Sequence, residues 1–118
     1  MYYYADFLVM VNHDDMEFIS NLITNTLPNV ERVLISSLVV SHNQVFIDKN
    51  TLYDPIDPSH EFAYYEYEIE FIYMAEESVT KDDMKEQANI ANLLASALTE
   101  NDIKFLIIGD DLSKFLDI

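Results

Sequence analysis

The chain has 118 residues, half of them apolar, and sets 22 Asp and Glu against six Lys and Arg for a formal net charge of −16. That length fits one domain with a core of its own, and the absence of cysteine removes disulfides, thiolate metal sites and cysteine nucleophiles together. So few cations cannot neutralise a run of phosphates, which excludes direct binding to DNA or RNA and disfavours anionic membrane surfaces.

Apolar and aromatic content is high enough that the acidity reads as the charge of a folded surface rather than of a disordered chain. The cations are Arg32, Lys49, Lys81, Lys85, Lys104 and Lys114, which leaves the stretches 1–31 and 50–80 without any. No basic n-region with a cleavage site opens the sequence, and no apolar run approaches a membrane span, so a cytoplasmic protein is expected. If the chain is phage-encoded, the compartment is the host cytoplasm.

In chain order, Tyr2 to Val11 predicts a strand whose centre, Phe7 to Val11, is continuously apolar, as in a central strand. Asp14 to Leu27 predicts a helix, with Asp14 and Glu17 at the spacing of a capping pair and Pro28 as its stop. Ile19, Leu22, Ile23 and Leu27 carry the helical period. Val30 to Val40, rich in β-branched residues, predicts a second strand. His42, Asn43 and Gln44 then make a turn or bulge before Val45 to Ile47. Asp48 to Glu61 is expected to be a loop, marked by the turn-forming steps Asp54-Pro55 and Asp57-Pro58.

Phe62 to Met74 gives the clearest strand signal. Ala63, Tyr65, Tyr67, Ile69, Phe71 and Tyr73 alternate with Glu66, Glu68 and Glu70. Thr80 and Asp83 open a second helix with an apolar stripe of Met84, Ala88, Ala91, Leu94, Ala95 and Leu98, ending near Asn101. Ile103 to Ile108 is a short buried strand. After Gly109, Asp110-Asp111 caps a final turn that docks Leu112, Phe115 and Leu116.

The order β-α-β-β-α-β with right-handed crossovers predicts an α+β, ferredoxin-like sandwich: a single domain over residues 1–118, with four antiparallel strands and both helices on one face. Glu66, Glu68 and Glu70 would then stand in a row on the uncovered face, about 6.6–6.8 Å apart. Asp6 joins them from the first strand, whose even-numbered side also carries Tyr2, Tyr4, Leu8 and Met10. Tyr64, Ile72 and Met74 flank the row.

Alternating glutamates also keep an ordinary strand face soluble. Here no lysine alternates with them, although mixed signs are the usual surface decoration, and tyrosines of the kind enriched at interface hot spots adjoin them. The partner-binding residues expected from the sequence are therefore Glu66, Glu68, Glu70, Asp6, Tyr64 and Tyr4, with Asp54 and Asp57 of the Asp-Pro loop as an additional arm.

Other constellations carry less. Asp14-Asp15 and Asp110-Asp111 would lie at opposite edges of the sheet, too far apart for two-metal chemistry, and helix capping accounts for both. His13, His42 and His60 lack metal-ligand spacing, Ser36-Ser37 has no nucleophile-elbow pattern, and a lone Gly109 cannot build a phosphate cradle. No catalytic residue, cofactor site or metal site is expected.

The sequence thus predicts a non-enzymatic acidic protein that mimics nucleic acid. It would occupy the basic groove of a nuclease or other nucleic-acid-binding protein, as phage anti-restriction and anti-CRISPR inhibitors do. The alternatives are an immunity protein that neutralises a nuclease toxin, and a ferredoxin-like small-ligand domain that homodimerises through its sheet. The like charges of the glutamate row speak against the latter.

Overall fold

A computed structural model describes residues 3–54, 56, 61–75 and 77–109; the side chains of Tyr3, Tyr4 and Glu61 lie outside the description. The architecture is α+β. The elements run β1 (Tyr3–Val11), α1 (Met16–Thr26), β2 (Val30–Leu34), β3 (Ser37–Val40), β4 (Asn43–Lys49), a 3-10 turn (Glu61–Tyr64), β5 (Tyr67–Ala75), α2 (Lys81–Glu100) and β6 (Phe105–Ile108). All six strands form one antiparallel sheet in the order β2-β3-β4-β5-β1-β6.

The four strands expected from the sequence are therefore corrected to six. The run Val30 to Val40 is not one strand but a hairpin that reverses at Ile35-Ser36. A β-branched run states that its residues favour extended backbone and nothing about where the chain turns back. The reversal is set by pairing: Leu38 and Val40 must join Val45 and Asn43 of β4 to be buried, while Glu31 and Arg32 pair outward of them. The next reversal is a two-residue turn at Ser41-His42, with Ser41 at φ 53°, and Asn43 and Gln44 belong to β4 rather than to a turn. Asp48 does not begin the loop but is still in β4 and pairs with Glu68.

One apolar cluster fills the space between the sheet and both helices. Phe7, Val9 and Val11 of β1, Leu38 and Val40 of β3, Val45 and Ile47 of β4, and Tyr67, Ile69 and Phe71 of β5 point into it from the sheet. Ile19 and Ile23 of α1 and Ala88, Ile90, Ala91, Leu94 and Leu98 of α2 close it. Both helices thus lie on one face of the sheet. At its centre Phe7 and Phe71, cross-strand neighbours, stack with ring centroids 4.5 Å apart.

Helix α1 starts one residue later than the spacing suggests. Asp15, not Asp14, is the N-cap; its Oδ1 accepts from the N–H groups of Glu17 and Phe18 at 3.0 and 3.2 Å. Helix α2 opens on the expected capping box, in which the Thr80 hydroxyl accepts from the Asp83 N–H and the Asp83 carboxylate from the Thr80 N–H. It closes on a Schellman motif: the N–H of Asp102, at φ 55°, donates to Thr99 O and that of Ile103 to Leu98 O. Ile103, buried, then leads into β6. Among the described residues, no helix is long and apolar enough to cross a membrane.

A buried polar bridge ties α2 to the sheet. Gln87, 1 % exposed, donates through Nε2 to Ala5 O at 3.0 Å and to Asn43 Oδ1 at 2.9 Å. Asn43 and Ala5 flank Tyr73 in one cross-sheet row, and the Tyr73 hydroxyl donates to Asp83 at 3.0 Å. This row faces the helices where α2 begins, so polar groups there are satisfied by α2 rather than by water.

Candidate protein-binding face

The antiparallel register places three rows of side chains on the face opposite the helices. The first runs across the strands through Glu31, Val39, Gln44, Ile72 and Asp6. The second runs through Leu34, Ser37, Phe46, Glu70, Leu8 and Ile108. The third holds Asp48, Glu68, Met10 and Leu106. Asp6, Glu31 and Asp48 are exposed, Glu68 and Glu70 are half-buried, as are Phe46, Leu8 and Ile72 beside them, and Met10 in the third row is buried.

Among the described residues, this face carries five acids at strand positions and no lysine or arginine. Of the described cations, Arg32 pairs with Leu38 on the other side and donates through Nη1 to Asn21 of α1 at 2.7 Å. Lys49 pairs with the buried Tyr67, Lys81 and Lys85 belong to α2, and Lys104 lies in the turn before β6. Among the described residues charge is thus segregated by the fold: the cations lie on the helix side or in the segment before β6, and the charged side chains at the strand positions of the opposite face are all acidic.

Within this face Asp48 and Glu68 stand directly opposite each other on neighbouring strands, a separation of about 4.5–5.5 Å between Cβ atoms. Partial burial pushes the Glu68 carboxyl above its ordinary value, and the Asp48 and Glu70 charges push it in the same direction. Asp6, Glu70 and Asp48, on three adjacent strands and each one row apart, form a diagonal line with steps of about 7–8 Å.

The residues expected from the sequence fall as follows. Glu68 and Glu70 lie where the alternation placed them. Glu66 does not belong to their strand: residues 61–64 form a 3-10 turn and β5 begins only at Tyr67, so the predicted three-glutamate row on one strand is corrected to two. Its backbone still extends the ladder, the N–H donating to Val11 O and the carbonyl accepting from Asn50 N–H. Asp6 is on the acidic face but opposite Ile72, not opposite a glutamate. Tyr4 pairs by its backbone with Met74. Tyr64 is 58 % exposed at the end of the 3-10 turn, and Ala63 and Tyr65 likewise precede the strand they were assigned to.

The cause of this break is Asn50, which is buried. Its Nδ2 donates to Phe62 O and Tyr65 O, both at 2.7 Å, and its Oδ1 accepts from Leu52 N–H. One side chain thus folds residues 61–65 back as a turn. In the adjoining loop Asp54 donates its N–H to Ala63 O and accepts from Ile56 N–H, an Asx turn that leaves Ile56 93 % exposed. Asp57 and His60 fall outside the described residues, as do Tyr2, Asp110, Asp111, Leu112, Phe115 and Leu116.

Sequence reasoning missed Asp48 and Phe46. The signal was present: Gln44, Phe46 and Asp48 alternate with the apolar Val45 and Ile47, the pattern of a strand with one buried face. It was hidden because Asp48 also begins a run of loop-forming residues. Among the described residues, no group of three or more His, Asp and Glu is placed to hold a metal ion. Comparison of the chain with protein-family models, with curated proteins and with solved structures finds no match.

Proposed function

We propose that the protein is a non-enzymatic acidic inhibitor that mimics nucleic acid and occupies the basic surface of a nuclease or other nucleic-acid-binding protein, acting in the cytoplasm in the manner of phage anti-restriction and anti-CRISPR proteins. The observation that carries this reading is the segregation of charge: among the described residues, five carboxylates and no cation at the strand positions of the face opposite the helices. Opposite potentials steer diffusional encounter and favour basic partners over others. Phe46, Leu8 and Ile72, half-buried among the acids, offer apolar area that a merely solvated face does not need. The four consecutive strands β4-β5-β1-β6 with both helices on one face also support reading the core as ferredoxin-like, with the β2–β3 hairpin added at the other edge, beyond β4.

The test is capture from a host lysate on immobilised protein, followed by elution with a DNA competitor. The wild type is expected to retain basic nucleic-acid-binding proteins that DNA displaces, and the combined Asp48→Asn, Glu68→Gln and Glu70→Gln variant to lose them. Equal retention by that variant, or retention that DNA cannot compete, would remove the reading.

A further inference from the structure

We infer that the element recognised by the acidic face is a basic amphipathic α-helix of the partner, lying across the strands. This rests on the acidic-face reading above and goes further in naming the shape and polarity of what binds. The second row of the face is mainly apolar, with Leu34, Phe46, Leu8 and Ile108 distributed over the full width of the sheet. Leu34 is 64 % exposed and the other three are partly exposed. The acids lie on both sides of this band: Glu31 and Asp6 in the first row, Asp48 and Glu68 in the third.

The dimensions suit a helix. Five inter-strand gaps of about 4.8 Å make the band about 24 Å long, the length of about 16 helical residues at 1.5 Å each. Rows two residues apart along a strand are about 6.7 Å apart, so the acids of the first row, Glu31 and Asp6 near its two ends, stand about 13 Å across the band from Asp48 and Glu68 of the third. That is close to the diameter of a helix with its side chains, about 10–12 Å. A helix with an apolar stripe and Lys or Arg on both borders would set the stripe on Phe46 and Leu8 and its cations against Asp6 and Glu31 on one side and Asp48 and Glu68 on the other. Glu70, within the band, calls for one cation inside that stripe. An added strand is the poorer match, because it would pair at an edge of the sheet and leave this band untouched.

The probe is a synthetic peptide of about 16 residues with leucines at helical spacing and arginines on both borders. It is compared with a scrambled peptide of identical composition, by fluorescence anisotropy with the full-length protein. The amphipathic peptide is expected to bind about tenfold or more tightly than the scrambled one, and Phe46→Ser, on the exposed side of β4, to remove most of that preference. Glu86→Gln on α2 should leave it unchanged, and circular dichroism and thermal melting verify that each variant is folded. On addition of the amphipathic peptide, amide chemical shifts should move along β4, β5 and β1 in the wild type and move less in the Leu8→Ser variant. Equal binding of the two peptides overturns the helix inference while leaving the acidic-face reading standing; failure of every basic peptide to bind at low salt overturns both. Self-association of the wild type that Phe46→Ser abolishes would assign the band to a second copy and overturn the inference as well.

Discussion

Glu68 shows how a single side chain trades stability for a charged surface. Folding raises its carboxyl above the ordinary value because it is partly buried and faces Asp48 and Glu70. The folded chain therefore binds this proton more tightly than the unfolded chain. The stability this contributes is complete in acid, below the ordinary carboxylate value, and is lost as the pH rises through the raised value. Glu68→Gln carries no charge at any pH. It should be more stable than the wild type at neutral pH by about 0.2–1 kcal/mol, the scale of a like-charge cross-strand pair. The two proteins should converge in acid, which denaturant titrations at both pH values would show; an equal gap at both would mean that repulsion is not the cause. Asn50 is the opposite case, a polar side chain whose removal breaks structure. Asn50→Ala orphans the carbonyls of Phe62 and Tyr65 and should cost about 1–3 kcal/mol by chemical denaturation. It should also speed amide exchange in residues 61–65. Ser20 Oγ is buried with no hydrogen-bond partner among the described residues, and Ser20→Ala should be neutral or stabilising.

At the scale of elements, the two ends of α2 make contrasting predictions. Its N-terminal capping box was legible as Thr80 and Asp83 because the motif is local: four consecutive residues contain both halves of the reciprocal bond. Hydrogen bonds from Thr80 hold the Asp83 carboxyl below its ordinary value, against an opposing push from burial. This contribution to stability is present above the ordinary carboxylate value and lost as the pH falls through the lowered one. Thr80→Ala should cost about 1 kcal/mol, read as a lower denaturation midpoint at neutral pH. At the other end Asp102 holds the left-handed position that glycine fills in most Schellman motifs, and it places a negative charge at the negative end of the helix. Asp102→Gly should raise stability by about 0.5–1 kcal/mol in the same assay; a loss would mean that the side chain makes a contact worth more than the strain. The hairpin β2–β3 was not legible. Ile35-Ser36 holds neither glycine, proline, asparagine nor aspartate, and serine is a weak turn signal inside a β-branched run, so little local distinguishes a turn there from a continuous strand.

For the whole molecule, a net charge of −16 concentrated partly on one sheet face should make stability depend on ionic strength. Added sodium chloride screens the mutual repulsion, since the Debye length falls from about 10 Å at 0.1 M to about 3 Å at 1 M. The melting temperature should rise over that range, and complexes with a basic partner should weaken over the same range. A melting temperature that is flat in salt would show the charges too dispersed to strain the fold. Opposite slopes for stability and binding are the combined signature of a surface whose repulsion is relieved by its partner.

The amino-acid sequence by itself determined what depends on composition and on neighbours within a few residues. It fixed the shortage of cations, placed both helices from period and caps, and put Glu68 and Glu70 on one side of a strand through simple alternation. Tertiary structure alone decided which strands neighbour which, and with that the membership of the face. Asp48 comes to stand against Glu68 from 20 positions away, Asp6 shifts one row from the glutamates, and Asn50 turns Phe62 to Tyr65 out of the strand that their alternation promised. Pairing is a contest among distant segments for burial of Val45, Ile69, Phe7 and their neighbours against two helices, and no local window of sequence contains both contestants.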